Sequence, residues 1–145
     1  MNPKELHFDK QGREKLLEGI TKMSKTVKST LGPLGNTVMM ESMNHTRGMI
    51  ITKDGVTVAK EIEFEDPVEN LAVKMMKEAS DRTATSAGDG TTTAIVLTEA
   101  IIREGMRLID REPNINTSQL ARDISKISED VIKSLDKSSK KVSGN

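Results

Sequence analysis

The sequence contains no cysteine, no tryptophan and no tyrosine, and only two phenylalanines, Phe8 and Phe64. Without cysteine there are no disulfides and no thiolate metal sites, which fits a reducing compartment. Net charge is lacking as well, since 22 lysines and arginines are balanced by 22 aspartates and glutamates. Such a chain has no broad field to attract nucleic acid or an anionic membrane, so neither is expected as a partner. Long apolar runs are also missing. No stretch approaches the roughly 18 residues of a membrane span, and the opening "MNPKELHFDK" lacks the apolar core of a signal peptide. The expectation is a soluble, cytoplasmic protein of one ordinary domain, 145 residues long.

Apolar side chains are scarce. They make up 34% of the chain, and the 10 glycines raise the apolar share to about 41%, below the roughly 45–50% usual for a globular domain. Nine methionines fill part of the gap, and methionine packs adaptably rather than specifying a tight core. Two readings fit: a chain that does not close its own core, or a helical domain built from small side chains.

What is there is mostly helical periodicity. Leu16, Ile20, Met23, Val27 and Leu31 fall on one face and predict a helix over residues 10–31. "TLGPLG" then ends it, with Gly32 suited to a left-handed cap and Pro33 unable to continue the helix. "TVMME" (37–41) and "MIIT" (49–52) read as a hairpin with a longer loop, in which Met39, Met40 and Met43 are expected to pack. "VTVAKEI" is ambiguous between a strand and a short helix. Val68, Leu71, Ala72, Met75, Met76 and Ala79 predict a second helix. Residues 94–109 are apolar on most faces and predict a third, expected to be the most buried. Leu120, Ile124, Ile127, Val131 and Leu135 predict a fourth, with Thr117 or Ser118 as its N-cap. The fold class expected is mainly α: four helices and one small β-hairpin.

The segment "GDGTTT" (88–93) raises a chemical question. Threonine is a mediocre helix former, and three in a row at a helix start are costly. A helix N-terminus exposes unpaired amides and carries partial positive charge. Glycine lets a phosphate approach such amides closely, and threonine hydroxyls add donors. Thr91, Thr92 and Thr93 therefore form a candidate phosphate cradle. Asp89 would repel a phosphate unless a hard cation such as Mg²⁺ lay between them. An ordinary Asp/Thr N-cap with a flexible glycine lead-in remains an equal alternative. "TLGPLG" (30–35) offers backbone amides in a glycine-bracketed turn, or is simply a helix stop. "TKDG" (52–55) places Asp54 on a tight turn, where it would orient a water, or is an ordinary Asp-Gly turn. There is no G-x-x-x-x-G-K-[ST] loop, no strand-borne G-x-G-x-x-G and no calcium-loop pattern. His7 and His45 suggest no zinc site and are expected at the surface.

Taken in order and spacing, "TLGP", "ITKDGVTVAKEIE" and "AGDGTTTA" closely resemble the N-terminal part of the group I (GroEL-type) chaperonins. The resemblance runs from "LHF" near the start to the last helix, and "TKDGVTVAKEI" points to group I in particular. It implies the first half of an equatorial, ATP-binding domain over residues 1–135, with residues 136–145 entering the intermediate hinge. By position it implies that Thr30, Leu31, Gly32 and Pro33 line the nucleotide, with Lys53 beside it. It further implies that Asp89 holds Mg²⁺ and that Gly90, Thr91, Thr92 and Thr93 take the phosphates. Asp54 would be the catalytic carboxylate that positions the attacking water. The implied cofactors are ATP and Mg²⁺, with K⁺ a further candidate.

The resemblance also implies a chain several-fold longer. An apical domain would grip unfolded protein clients and co-chaperonin, and other subunits would complete a ring. The return leg of the chain would supply a second aspartate and the wall that holds the base. Two expectations for these 145 residues follow: weak ATP affinity, and marginal stability with exposed apolar faces on the 68–79 and 94–109 helices. The function expected is the ATP-binding segment of a folding chaperone. The alternative is a non-catalytic module that docks on full-length subunits, for instance through its "ELHF" edge. Leu34, where the family usually has lysine, and "DREPNIN", where it usually has a Gly/Asn-Pro turn, depart from the pattern without touching the phosphate residues.

Overall fold

A computed structural model of the chain describes residues 9–41 and 48–140. The elements are α1 (Asp9–Lys28), β1 (Val38–Glu41), β2 (Met49–Thr52), α2 (Gly55–Glu61), α3 (Pro67–Ala87), α4 (Thr91–Arg111) and α5 (Thr117–Ser138). The fold is thus mainly α with one small antiparallel hairpin. The ambiguous "VTVAKEI" resolves as a helix, which makes five helices among the described residues rather than four. Asp54 decides it. Its carboxylate accepts from the amides of Val56 and Thr57, and such a cap satisfies donors that a helix start otherwise leaves unpaired.

The chain forms two compact units, residues 1–103 and 104–145. In the first, α1 packs on α3, and Met23, Val27, Val73 and Met76 are fully buried between them. Val58 and Ala59 of α2 and Ile95 of α4 close the same cluster, with Phe64 and Met40 at its edge. Two methionines therefore occupy central positions that a larger domain commonly gives to aromatic residues, in keeping with their adaptable shape. Ion pairs tie the helices at one end. Lys22 bonds both oxygens of Glu69, at 2.8 and 2.9 Å, and lies 5.8 Å above the Phe64 ring. Lys15 meets Asp66 at 2.6 Å.

Helix ends follow local chemistry. The first helix stops at Lys28, three residues short of the periodic pattern. Thr30 and Leu31 instead make tightened bonds to Val27 and Lys28 carbonyls, and Gly32 turns the chain at φ 81°. The second runs on to Ala87 past its apolar stripe. Over that extension the hydroxyls of Thr83 and Thr85 bond back to the carbonyls of Ala79 and Asp81, so they are satisfied inside the helix. Asp66 caps its start, Pro67 occupies the first turn, and Gly88 ends it in the left-handed conformation.

The hairpin pairs Val38 with Thr52 and Met40 with Ile50, facing the core, and Met39 with Ile51, facing away. Met40 packs against the core while Met39 is 67% exposed; Met43 lies outside the described residues. So do His7, His45 and the "ELHF" segment.

The burial expected of α4 and the cap expected of α5 are both overturned. Helix α4 is not the most buried: only Thr91, Ile95 and Glu99 are buried, while Leu97 and Ile101 are 56% and 51% exposed. Only the face bearing Ile95 joins the core cluster. The helix is apolar on several faces, but the unit supplies cover for one. In the second unit, α5 has no buried residue, and Ile127, Val131 and Leu135 are exposed along one side. Its N-cap is Asn116, not Thr117 or Ser118, with Oδ1 accepting from the Gln119 amide at 3.0 Å. Among the described residues no helix is long and apolar enough to cross a membrane.

Candidate functional site

Helix α4 starts unlike its neighbours. At α2, α3 and α5 the residue just before the helix turns its side chain onto amides two or three positions ahead. Before α4, Asp89 and Gly90 do not. Asp89 Oδ1 accepts only from the adjacent Gly90 amide, at 2.6 Å, and the first helical bond runs from the Ala94 amide to the Gly90 carbonyl, at 2.8 Å. The amides of Thr91, Thr92 and Thr93 precede that bond and have no acceptor among the described residues. The ordinary Asp N-cap is therefore not what stands here. Gly90 takes φ 87°, a backbone that a side chain rarely adopts, and this lets the chain swing into the helix without covering those amides. The Thr91 side chain is buried, and its hydroxyl has no hydrogen-bond partner among the described residues. A buried unsatisfied hydroxyl is costly unless a ligand or water completes it.

The other two turns meet this start. Gly55 is buried, and a Cβ at that position would overlap the Thr92 hydroxyl and lie 2.9 Å from Thr30 Oγ1. Three segments distant in sequence thus converge at one glycine. Thr30 sits in the turn after α1, where its hydroxyl donates to the Val27 carbonyl at 2.7 Å and keeps its oxygen available as an acceptor. Leu31, Gly32 and Pro33 follow on the exposed side of that turn, which closes through the Asn36 amide bonding the Ser29 carbonyl at 2.7 Å.

Asp54 immediately precedes Gly55 and is exposed. Its Oδ1 accepts from the Val56 amide at 3.2 Å, and its Oδ2 accepts from the Thr57 amide at 3.0 Å and the Thr57 hydroxyl at 2.6 Å. These bonds, the Thr57 hydroxyl foremost, hold the carboxyl below its ordinary range, and the Lys60 charge adds to them. Lys53 is exposed beside Asp54, with no ion pair among the described residues. No group of three or more acidic or histidine side chains among the described residues forms a metal cage. Asp89 alone, beside hydroxyls and free amides, suits a cation such as Mg²⁺ that draws its remaining ligands from phosphate and water.

Sequence reasoning missed two residues. Gly55 was read only as the partner of a turn aspartate, yet its missing side chain is what lets the threonines approach. The other is Thr57, whose hydroxyl bonds the Asp54 carboxylate three residues before it and which no sequence motif marks. A separate hollow of about 630 Å³ runs along α3 beside Lys74, Lys77, Glu78 and Arg82. It holds none of the three turns, and its charges are mixed, with Arg82 paired to Glu78 at 2.6 Å.

The TCP-1/cpn60 chaperonin family profile matches residues 23–145. The chain belongs to this family. Its structure is also similar to the crystal structure of the chaperonin gp146 from the bacteriophage EL 2 (Pseudomonas aeruginosa), determined in the presence of ATP-BeFx. The TM-score is 0.72 at 32% sequence identity, over 92% of this chain and 22% of that one. The chain therefore spans about a fifth of the length of that chaperonin, and its helices and small hairpin match part of a chaperonin equatorial domain.

Proposed function

We propose that this chain is the nucleotide-binding N-terminal segment of a group I chaperonin subunit, seating the triphosphate of Mg·ATP at the head of α4. The convergence of Thr30, Gly55 and Thr92 supports this most strongly. It brings the threonine hydroxyls of two segments to the buried glycine of a third, beside three helix amides that have no acceptor among the described residues. In this reading the amides and hydroxyls of Thr91, Thr92 and Thr93 take the phosphates, and Gly90, with no side chain, lets them approach. Thr30, Leu31, Gly32 and Pro33 flank the nucleotide with Lys53 nearby, and Asp89 holds Mg²⁺. A bound Mg²⁺ offsets phosphate charge, with K⁺ a further candidate cation. Asp54 orients a water toward the terminal phosphate. Group I membership rests on "TKDGVTVAKEI".

The domain assignment belongs to the same proposal: residues 1–135 in the equatorial domain and 136–145 leading to the hinge. So does the whole subunit's role, which is cytoplasmic, ATP-driven encapsulation of unfolded clients by a ring of subunits with a co-chaperonin. The base-binding wall and a second carboxylate come from elsewhere in such a subunit. The 145-residue chain is therefore expected to bind Mg·ATP weakly and not to turn it over. Calorimetry with Mg·ATP and AMP tests this. Mg·ATP should bind in the millimolar range and more tightly than AMP, with the Mg²⁺ dependence lost in Asp89→Ala. Equal binding of the two nucleotides, or an unchanged Mg²⁺ dependence, would contradict it.

A second reading is favoured by the exposed side of α5, where Ile127, Val131, Ile132 and Leu135 are each more than half exposed. An apolar surface of this kind fits a module that docks on complete chaperonin subunits without doing chemistry. Co-elution with a full-length chaperonin, lost in Val131→Lys, would support it.

A further inference from the structure

We propose that Thr57 is a positioning residue for Asp54: its hydroxyl occupies one carboxylate oxygen, Oδ2, and so leaves Oδ1 to face a ligand-bound water. The inference rests on the assignment of Asp54 to the nucleotide site. The geometry is specific. A carboxylate oxygen accepts about two hydrogen bonds. Oδ2 takes both of its bonds from Thr57, one from the amide at 3.0 Å and one from the hydroxyl at 2.6 Å. Among the described residues Oδ1 takes only the Val56 amide, at 3.2 Å, and keeps one acceptor direction. A plain helix cap needs only the two amides. The hydroxyl adds a third bond, which fills the second acceptor direction of Oδ2 and so fixes which oxygen remains available.

The arrangement is local and stiff. Thr57 sits inside α2, half-buried, with Val58 and Ala59 beside it in the core. Its β-branched side chain has few rotamers to choose from. The carboxylate is also tied at its root, because the Asp54 amide donates to Thr52 Oγ1 at 2.9 Å. The charged group acting on Asp54 is Lys60, nearly two turns along α2, and it cannot choose between the two oxygens as a directed hydroxyl does. Valine at position 57 would keep the shape and both amide bonds while removing only the hydroxyl. Serine would keep the hydroxyl.

The test is an NMR titration of the Asp54 carboxyl carbon in the 145-residue chain and in Thr57→Val and Thr57→Ser. The Asp54 midpoint should rise toward the ordinary carboxylate value in Thr57→Val, with α2 amide signals in place, and stay near wild type in Thr57→Ser. An unchanged midpoint in Thr57→Val overturns the proposal. Should Thr57→Val lose the α2 signals, the wild-type chain decides. A Thr57 hydroxyl proton in slow exchange that disappears as Asp54 protonates supports the bond, and its absence overturns it. Mg·ATP is then added to all three proteins. The Asp54 signal should shift in wild type and Thr57→Ser, and at least twofold less in Thr57→Val; equal shifts overturn the positioning role. No shift in any of them overturns the nucleotide assignment instead, while the titration still reports on Thr57.

Discussion

Gly55 and Thr92 lie so close that any side chain on the glycine would overlap the threonine hydroxyl. That relationship locks the start of α2 against the start of α4, and Thr30 closes the same point from a third segment. The turns "TLGPLG", "TKDG" and "GDGTTT" are individually common. What sets them apart here is that all three meet at one buried glycine.

Gly55→Ala should therefore disturb the site and the fold together. The added methyl must displace Thr92 or Thr30, an overpacking cost of about 1–3 kcal/mol. Urea unfolding monitored by circular dichroism would read the loss, and Mg·ATP affinity should fall further than stability alone explains.

Gly19→Ala should destabilise for a different reason. A Cβ there would lie 2.6 Å from the Glu69 carbonyl oxygen and 2.8 Å from its Cα, both backbone atoms that cannot move aside. Alanine gains roughly 1 kcal/mol of helix propensity over glycine, but separating α1 from α3 costs about 1–3 kcal/mol. The crossing should win, giving a lower urea midpoint. A midpoint above wild type would show that α1 and α3 do not approach this closely.

Acid should loosen the α1–α3 pair through Asp66. Lys15 and the cap amides of Glu69 and Val68 lower its carboxyl from 3.8 to about 2. A depressed folded value means that this stabilisation is fully present above pH about 4 and is lost as pH falls toward about 2. Asn caps a helix as well as Asp does, so Asp66→Asn keeps the cap and removes the titration. Its stability should change less steeply across that window. An acid limb identical to wild type would rule Asp66 out as a contributor.

Much of this molecule was legible in its sequence where periodicity or a turn signal stood alone. The stripe from Leu16 to Leu31 forms a helix as far as Lys28, and the 68–79 run and the hairpin strands, local patterns likewise, each form. Two kinds of feature were not legible. Which helix faces find partners depends on the other helices present, so α4 was overrated as a core element. Likewise, the role of Gly55 arises only when Thr30 and Thr92 are brought to it across the fold. The sequence offers Thr117 or Ser118 as the cap of α5 and the structure uses Asn116, because these residue types all cap helices and only geometry chooses among them. The candidate phosphate residues at the head of α4 come from its glycines, threonines and unpaired amides, and the others from the family resemblance; the structure adds the common point at Gly55.

The most direct test of the phosphate cradle is an amide chemical-shift map of the chain titrated with Mg·ATP at millimolar concentrations. The account predicts perturbations concentrated at residues 30–35, 54–55 and 89–93, greatly reduced in Thr92→Val. Shifts confined to the α3 hollow, or none at residues 89–93 with nucleotide in excess, would contradict it.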